Sequence, residues 1–207
     1  MADQLCTTAQ VKARIQATDA GDDTVISELI DQVSSWIQDY TGRKLVPEVA
    51  ATYVFDTQAG YVLRVPRGIR TITSMGVSTS NHQPDSGGSY TSIPAADRLL
   101  RPKAVDLPEG WPPTEVHITR GTLAGTIPYF ARYDNACTIT GDFGFAATPA
   151  DIQSVAIDAV VAAYASRASG ASNVIGADNL AVPPWSLFFG RGSPQRGTLD
   201  RYRYVTL

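Results

Sequence analysis

Between residues 22 and 43 the apolar side chains Val25, Ile26, Leu29, Ile30, Val33, Trp36, Ile37 and Tyr40 recur at steps of three and four, with Glu28, Asp31, Ser34, Ser35, Gln38 and Asp39 filling the gaps. That spacing specifies a helix with one buried face, because only a 3.6-residue repeat returns these side chains to the same side. Asp22, Asp23 and Thr24 are placed to cap its free N–H groups and to oppose the positive end of its dipole, and Gly42 can take the left-handed conformation that ends it. At roughly 1.5–3 kcal/mol per large apolar side chain buried, this face outweighs the net stability of a typical domain before chain entropy is subtracted. The rest of the chain has to cover it.

A chain of 207 residues, 43% hydrophobic and 18% charged, can build one ordinary core and a small second layer, and reads as soluble and globular. No run approaches the roughly eighteen apolar residues of a membrane span, and Met-Ala-Asp-Gln lacks the basic-then-apolar character of a signal peptide. The expectation is a protein that stays in the compartment where it is made, with no membrane partner. Cys6 and Cys137 stand alone, which argues against zinc and excludes a disulfide framework. They read as packing residues with free thiols. The formal net charge of −3 disfavours tight binding to nucleic acid or anionic lipid through bulk electrostatics.

In chain order, Thr7 or Thr8 can cap a short helix over residues 8–17, with Val11 and Ile15 inside, and the long helix follows over 24–41. Two helices joined by a glycine-containing turn raise a helix-turn-helix reading, but residues 19–39 carry Asp19, Asp22, Asp23, Glu28, Asp31 and Asp39 and no Lys or Arg. Phosphates would be repelled. From residue 50 to about 145 the pattern alternates instead. Residues 52–56 and 61–65 read as the strands of a hairpin around Thr57-Gln58-Ala59-Gly60, and 69–77 as a strand with Ile69, Thr71, Thr73, Met75 and Val77 on one face. Residues 78–89 read as an exposed loop, and the later part to Pro113 as pinned to the surface through Tyr90, Ile93, Leu99, Leu100, Val105 and Leu107. Strands are expected at 115–119, 129–133 and 137–140, the last two around an Asp134-Asn135 turn. Thr148-Pro149-Ala150-Asp151 opens a second long helix over 149–168. Its stripe Ile152, Val155, Ala156, Ala159, Val160, Ala163 and Tyr164 is rich in small residues, suited to close approach by the first long helix or by a neighbouring copy.

The fold class is therefore α+β: a small helical bundle on two long helices with an inserted antiparallel β region, and an extended C-terminal tail. Residues 1–170 form the main domain and 171–207 the tail. That tail combines Trp185, Leu187, Phe188, Phe189, Tyr202 and Tyr204 with Arg191, Arg196, Arg201 and Arg203. Trp, Tyr and Arg are the types enriched at interface hot spots, so these ten side chains are the candidate partner-binding residues. The alternative is that the tail folds back to complete its own core.

No nucleophile with its base, paired carboxylates, metal cluster or phosphate-binding glycine loop occurs at useful spacing, so no catalytic residue, cofactor or metal is assigned. Asp19-Ala20-Gly21-Asp22-Asp23 lacks the ligands of an EF-hand, and Asp142-Phe143-Gly144 lacks the rest of a kinase. His82 and His117 have no evident carboxylate or thiol neighbours and read as solvated or packing imidazoles. The third function class, an enzyme, would need Asp56, Asp142 or His117 brought together by the fold.

With this order assembled, the chain resembles the head-tail connectors (adaptors) of tailed bacteriophages. The resemblance lies in Thr7-Thr8-Ala9-Gln10-Val11-Lys12, Asp22-Asp23, Tyr40-Thr41-Gly42-Arg43-Lys44-Leu45, Ile69-Arg70-Thr71-Ile72-Thr73-Ser74-Met75, and Gly141-Asp142-Phe143-Gly144 ahead of Thr148-Pro149-Ala150-Asp151-Ile152. The long 78–113 region departs from shorter members. Membership implies a structural protein of the virion neck, assembled in the host bacterial cytoplasm. It implies a homo-oligomeric ring, commonly a dodecamer, beneath the portal protein, with genomic DNA passing through and stopper or tail-completion proteins assembling on it. The tail would dock on the portal. The competing class is a small DNA-binding packaging or regulatory protein using the N-terminal helix pair.

Overall fold

The computed structural model describes residues 3–16, 21–78, 90–119, 130, 133–168, 174–175, 180–181, 189 and 193–204. The chain forms two compact units, one from Met1–Val46 with Thr148–Leu207 and the other from Pro47–Ala147. The first is helical: α1 (Thr8–Ile15), α2 (Asp23–Thr41), α3 (Ala150–Ala168) and α4 (Pro194–Tyr202). The second holds β1 (Glu48–Thr57), β2 (Val62–Arg64), β3 (Ile69–Val77), β4 (Thr91–Ser92), β5 (Arg98–Arg101), β6 (Glu115–Ile118) and β7 (Tyr133–Phe143). The expected α+β class is observed.

In the helical unit α2 buries a narrower seam than its apolar pattern implies. Ile26, Ile30, Val33 and Ile37 are buried, joined by Ser34 and Thr41, while Val25, Leu29, Trp36 and Tyr40 stay half-buried. Both polar members of the seam are satisfied: Ser34 Oγ accepts the Leu5 N–H at 3.0 Å, and Thr41 Oγ1 donates to the Ile37 carbonyl at 2.9 Å. Gly42 closes the helix at φ +63°. At the other end the expected cap differs, because Asp22 makes no side-chain cap hydrogen bond. Its carboxylate instead accepts the Tyr164 hydroxyl at 2.6 Å, and Asp23 pairs with Lys12 at 2.7 Å. Contact with neighbouring helices takes these acids away from their own N-terminus. On α1, Thr7 and Gln10 form a reciprocal capping box, and Gln16 in the left-handed region ends the helix earlier than residue 17. α3 buries Ile152, Val155, Ala156, Ala159, Val160 and Ala163 and packs on α2, α1 and α4. The segment expected to be extended thus contains a helix. Ser193 caps α4, Pro194 occupies its first turn, and Leu199 and Tyr202, three residues apart, share its buried side.

The β unit pairs its strands differently from the expected hairpin. β1 and β2 lie in separate antiparallel sheets, of order β1-β7-β3-β4 and β2-β6-β5. The eleven-residue β7 offers the ten-residue β1 a far longer ladder than the three-residue β2 can. Nor does Asp134-Asn135 turn the chain: β7 runs through it. Asn135, at φ +52°, sits where the β1–β7 register shifts, and donates its N–H to Asp56 at 2.8 Å. The turn signal is spent on a bulge. β3 carries register shifts between Ile69 and Thr71 and between Ile72 and Ser74, so Ile69, Ile72 and Met75 face the core, and Thr71 and Thr73 do not. Arg98 closes the second irregularity by donating to the Ile72 and Thr73 carbonyls at 3.1 and 3.2 Å. The shared core includes Leu63, Val65, Val116, Ile118, Phe130, Ile139 and Phe143. Val105, expected to be pinned, is 86% exposed on a short 3-10 turn.

Where β3 bulges toward β7, Gly141 is required: a Cβ there would stand 2.1 Å from the Thr71 carbonyl oxygen. Gly141→Ala should therefore cost about 1–3 kcal/mol or more, as overpacking does, measured as a lowered urea midpoint with unchanged slope.

Candidate docking surface at the C-terminal segment

The half-buried flank of α2 carries an aromatic pair one turn apart. The rings of Trp36 and Tyr40 stack at 5.3 Å between centroids, 15° from parallel. Phe189 also stacks on Trp36, at 4.5 Å and 13°, and is buried. Tyr40 in turn is faced by two guanidinium groups, Arg203 at 5.8 Å and Arg196 at 6.0 Å from its ring centre. Its hydroxyl donates to Asp200 at 2.5 Å, and that hydrogen bond first, burial second, raises its pKa. A cation over a ring face is attracted by the ring's quadrupole. The flank that α2 leaves uncovered by α3 is thus used by the C-terminal segment.

The second point of attachment is the start of α3. Asp151 accepts the Tyr202 hydroxyl at 2.8 Å on one carboxylate oxygen and faces Arg201 at 3.3 Å on the other. Tyr202 is only 8% exposed. Burial, followed by the hydrogen bond to Asp151 and that carboxylate's charge, pushes its phenol up to about 12. Below it Leu199 is fully buried. Past the helix the Tyr204 N–H bonds the Thr41 carbonyl at 2.8 Å, meeting an acceptor left over at the end of α2, and Arg43 stands 5.4 Å over the Tyr204 ring.

Of the ten candidate residues, Phe189, Arg196, Arg201, Tyr202, Arg203 and Tyr204 are therefore brought together on the chain's own α2 and α3. Trp185, Leu187, Phe188 and Arg191 lie outside the described residues. The receiving side chains Trp36, Tyr40 and Asp151 were not singled out from the sequence as partners of the tail, nor was Asp200 within it. Trp36 and Tyr40 did carry a signal, being aromatics one turn apart at the margin of the apolar stripe.

The residues on which an enzyme would depend are not assembled. Asp56 and Asp142 sit toward opposite ends of the β1–β7 ladder, and His117 lies on the other sheet. Asp56 holds the Asn135 N–H. Asp142 accepts the Ala50 N–H at 3.1 Å, which, with the Thr71 hydroxyl, lowers its pKa. His117 does have a carboxylate partner, Glu115, at 2.9 Å: two residues earlier on a strand is the same face, a relation that the sequence reading overlooked. His82 is outside the described residues. Among the described residues no group of three or more His, Cys, Asp or Glu could hold a metal ion, and no helix is long and apolar enough to cross a membrane.

Residues 7–91, from the capping box of α1 to the first residue of β4, match the family model of phage gp6-like head-tail connector proteins. The resemblance to head-tail connectors stands. The C-terminal segment lies beyond the matched stretch. Among solved structures, a chain from the neck of an empty gene transfer agent particle reconstructed with C6 symmetry aligns with a TM-score of 0.55 at 16% identity, covering 97% of this chain and 90% of that one. One from the neck of the native particle, reconstructed with C12 symmetry, gives 0.53 at 16%, covering 97% and 89%. One from the native virion gives 0.55 at 17%, covering 97% and 90%. No curated protein matches the sequence significantly. The connector match covers residues 7–91, and the neck proteins share the fold over nearly the whole chain.

The docking of α4 rests on apolar contact more than on its ion pairs. Leu199→Ala should lower stability by about 2–5 kcal/mol and Arg201→Ala by less than about 1 kcal/mol in urea unfolding, since exposed pairs contribute little. A phenol whose folded pKa is raised contributes stability that is complete below its unfolded value near 10 and is lost as pH climbs toward 12. In a phenolate absorbance titration the latest component should disappear in Tyr202→Phe.

Proposed function

We propose that this chain is the connector subunit of a tailed particle's neck, a structural adaptor without catalysis. Identical subunits close into a ring through heterologous contacts, a dodecamer in the particle, seated beneath the portal protein. Genomic DNA passes through the ring, and stopper or tail-completion proteins assemble on its far side. The C-terminal segment makes the portal contact. The connector match over residues 7–91, which spans the first part of both units, is the observation that carries this reading. The C12 reconstruction of a neck with the same fold supports the ring number.

Electrostatics agree with a conduit. At a net charge of −3 per chain a ring multiplies its negative charge, and a wall that does not hold phosphates lets the duplex slide. On α2 the residues Glu28 and Asp39 are exposed, and a recognition helix would need cations there.

Negative-stain images of the full-length protein mixed with isolated portal rings should show an added ring on one face of the portal. Portal rings that stay bare at saturating protein would sink the adaptor reading. A gel shift at physiological salt separates the competing DNA-binding class, which requires a retained complex where the connector reading expects none.

A further inference from the structure

The docking reading assigns the portal contact to side chains that the structure finds already occupied. Phe189 stacks on Trp36, Arg196 and Arg203 stand over Tyr40, Arg201 and Tyr202 are held by Asp151, and the Tyr204 N–H is bonded to Thr41. All the receiving groups belong to α2 or the start of α3. We propose that α4 is an autoinhibitory latch: closed on α2 and α3 in the free subunit, it withholds the segment's aromatic and arginine side chains, and portal docking requires it to open. This rests on the docking reading above.

The helix is built to be released. Nine residues are too few to be stable as an isolated helix, and α4 spends one interior position on Gly197. Its only fully buried apolar side chain is Leu199, with Tyr202 nearly so, and its other side-chain contacts to α2 and α3 are polar or charged: Arg201 with Asp151, Tyr202 with Asp151, Asp200 with the Tyr40 hydroxyl, and Arg196 over the Tyr40 ring. An element with few buried contacts belongs to the low-stability end of a protein's opening equilibria. If only the open fraction binds, the apparent dissociation constant is the intrinsic one divided by that fraction.

Two variants move the latch in opposite directions without changing any proposed portal contact. Gly197 is exposed, has no left-handed φ, and a Cβ there meets nothing within 4 Å, so Gly197→Ala acts through helix propensity alone. Asp151→Asn acts from the receiving side: it keeps an acceptor for Tyr202 but removes the charge facing Arg201. Hydrogen exchange of the α4 amides in the free protein should slow in Gly197→Ala and quicken in Asp151→Asn. Sedimentation with isolated portal rings should show binding weakened about two- to five-fold by Gly197→Ala, the helix-interior difference between the two residues, and strengthened by Asp151→Asn. Unchanged exchange in both variants overturns the latch. Shifted exchange with equal portal affinities, or tighter binding by Gly197→Ala, overturns it as well while leaving docking intact. A wild-type protein that fails to bind the rings removes the docking reading, and the latch with it.

Discussion

The helical unit depends on burying one seam of α2. Ile26, Ile30, Val33 and Ile37 are within 1% of full burial, and α3 meets α2 with Ala156, Ala159 and Ala163 among its buried residues. Small side chains let two backbones approach, so a narrow seam suffices and the wider apolar pattern of α2 is not consumed. What is left over is a flank carrying Trp36 and Tyr40. That flank would be costly to leave in water, and Phe189 and α4 cover it. Ser34 and Thr41 can sit inside the seam because each finds its hydrogen bond at once, from the Leu5 N–H and to the Ile37 carbonyl.

In the β unit the organising constraint is register. β7 lies between β1 and β3 and both ladders slip along it, at Ala50, at Asn135 and twice on β3. A slip of one residue reverses which face a side chain takes, so two slips on β3 convert alternation into the spacing Ile69, Ile72, Met75. The backbones crowd where the first of them occurs. Only a residue without a side chain fits opposite Thr71, and the carbonyls that the second leaves unpaired are taken by Arg98.

Much of this was legible beforehand. Both long helices, the strands expected at 52–56, 69–77 and 115–119 (the last observed as Glu115–Ile118), the glycine end of α2 and the α+β class follow from local pattern. The Ser193-Pro194 start of α4 was equally local, a cap followed by a first-turn proline, but the proline- and glycine-rich surroundings of residues 171–207 masked it. The candidate side chains of the tail were named from their types. Their partners were not, because Trp36 and Tyr40 lie about 150 residues or more from the groups they meet, and no spacing rule reaches across that distance.

Hydrophobic periodicity, capping residues and turn formers act within a few residues of one another, so the sequence by itself determined which segments are helix or strand and which chemistry it carries. Pairing is a competition among all the surfaces that those segments present. Only the tertiary structure decided that β1 would choose β7 over β2, that Asp22 would serve Tyr164 in place of its own helix end, and that the arginine and aromatic side chains of α4 would lie against α2 and α3. Each choice went to the partner offering the longer ladder, a donor from a neighbouring helix or the apolar face to be covered, features that exist only once distant parts of the chain have met.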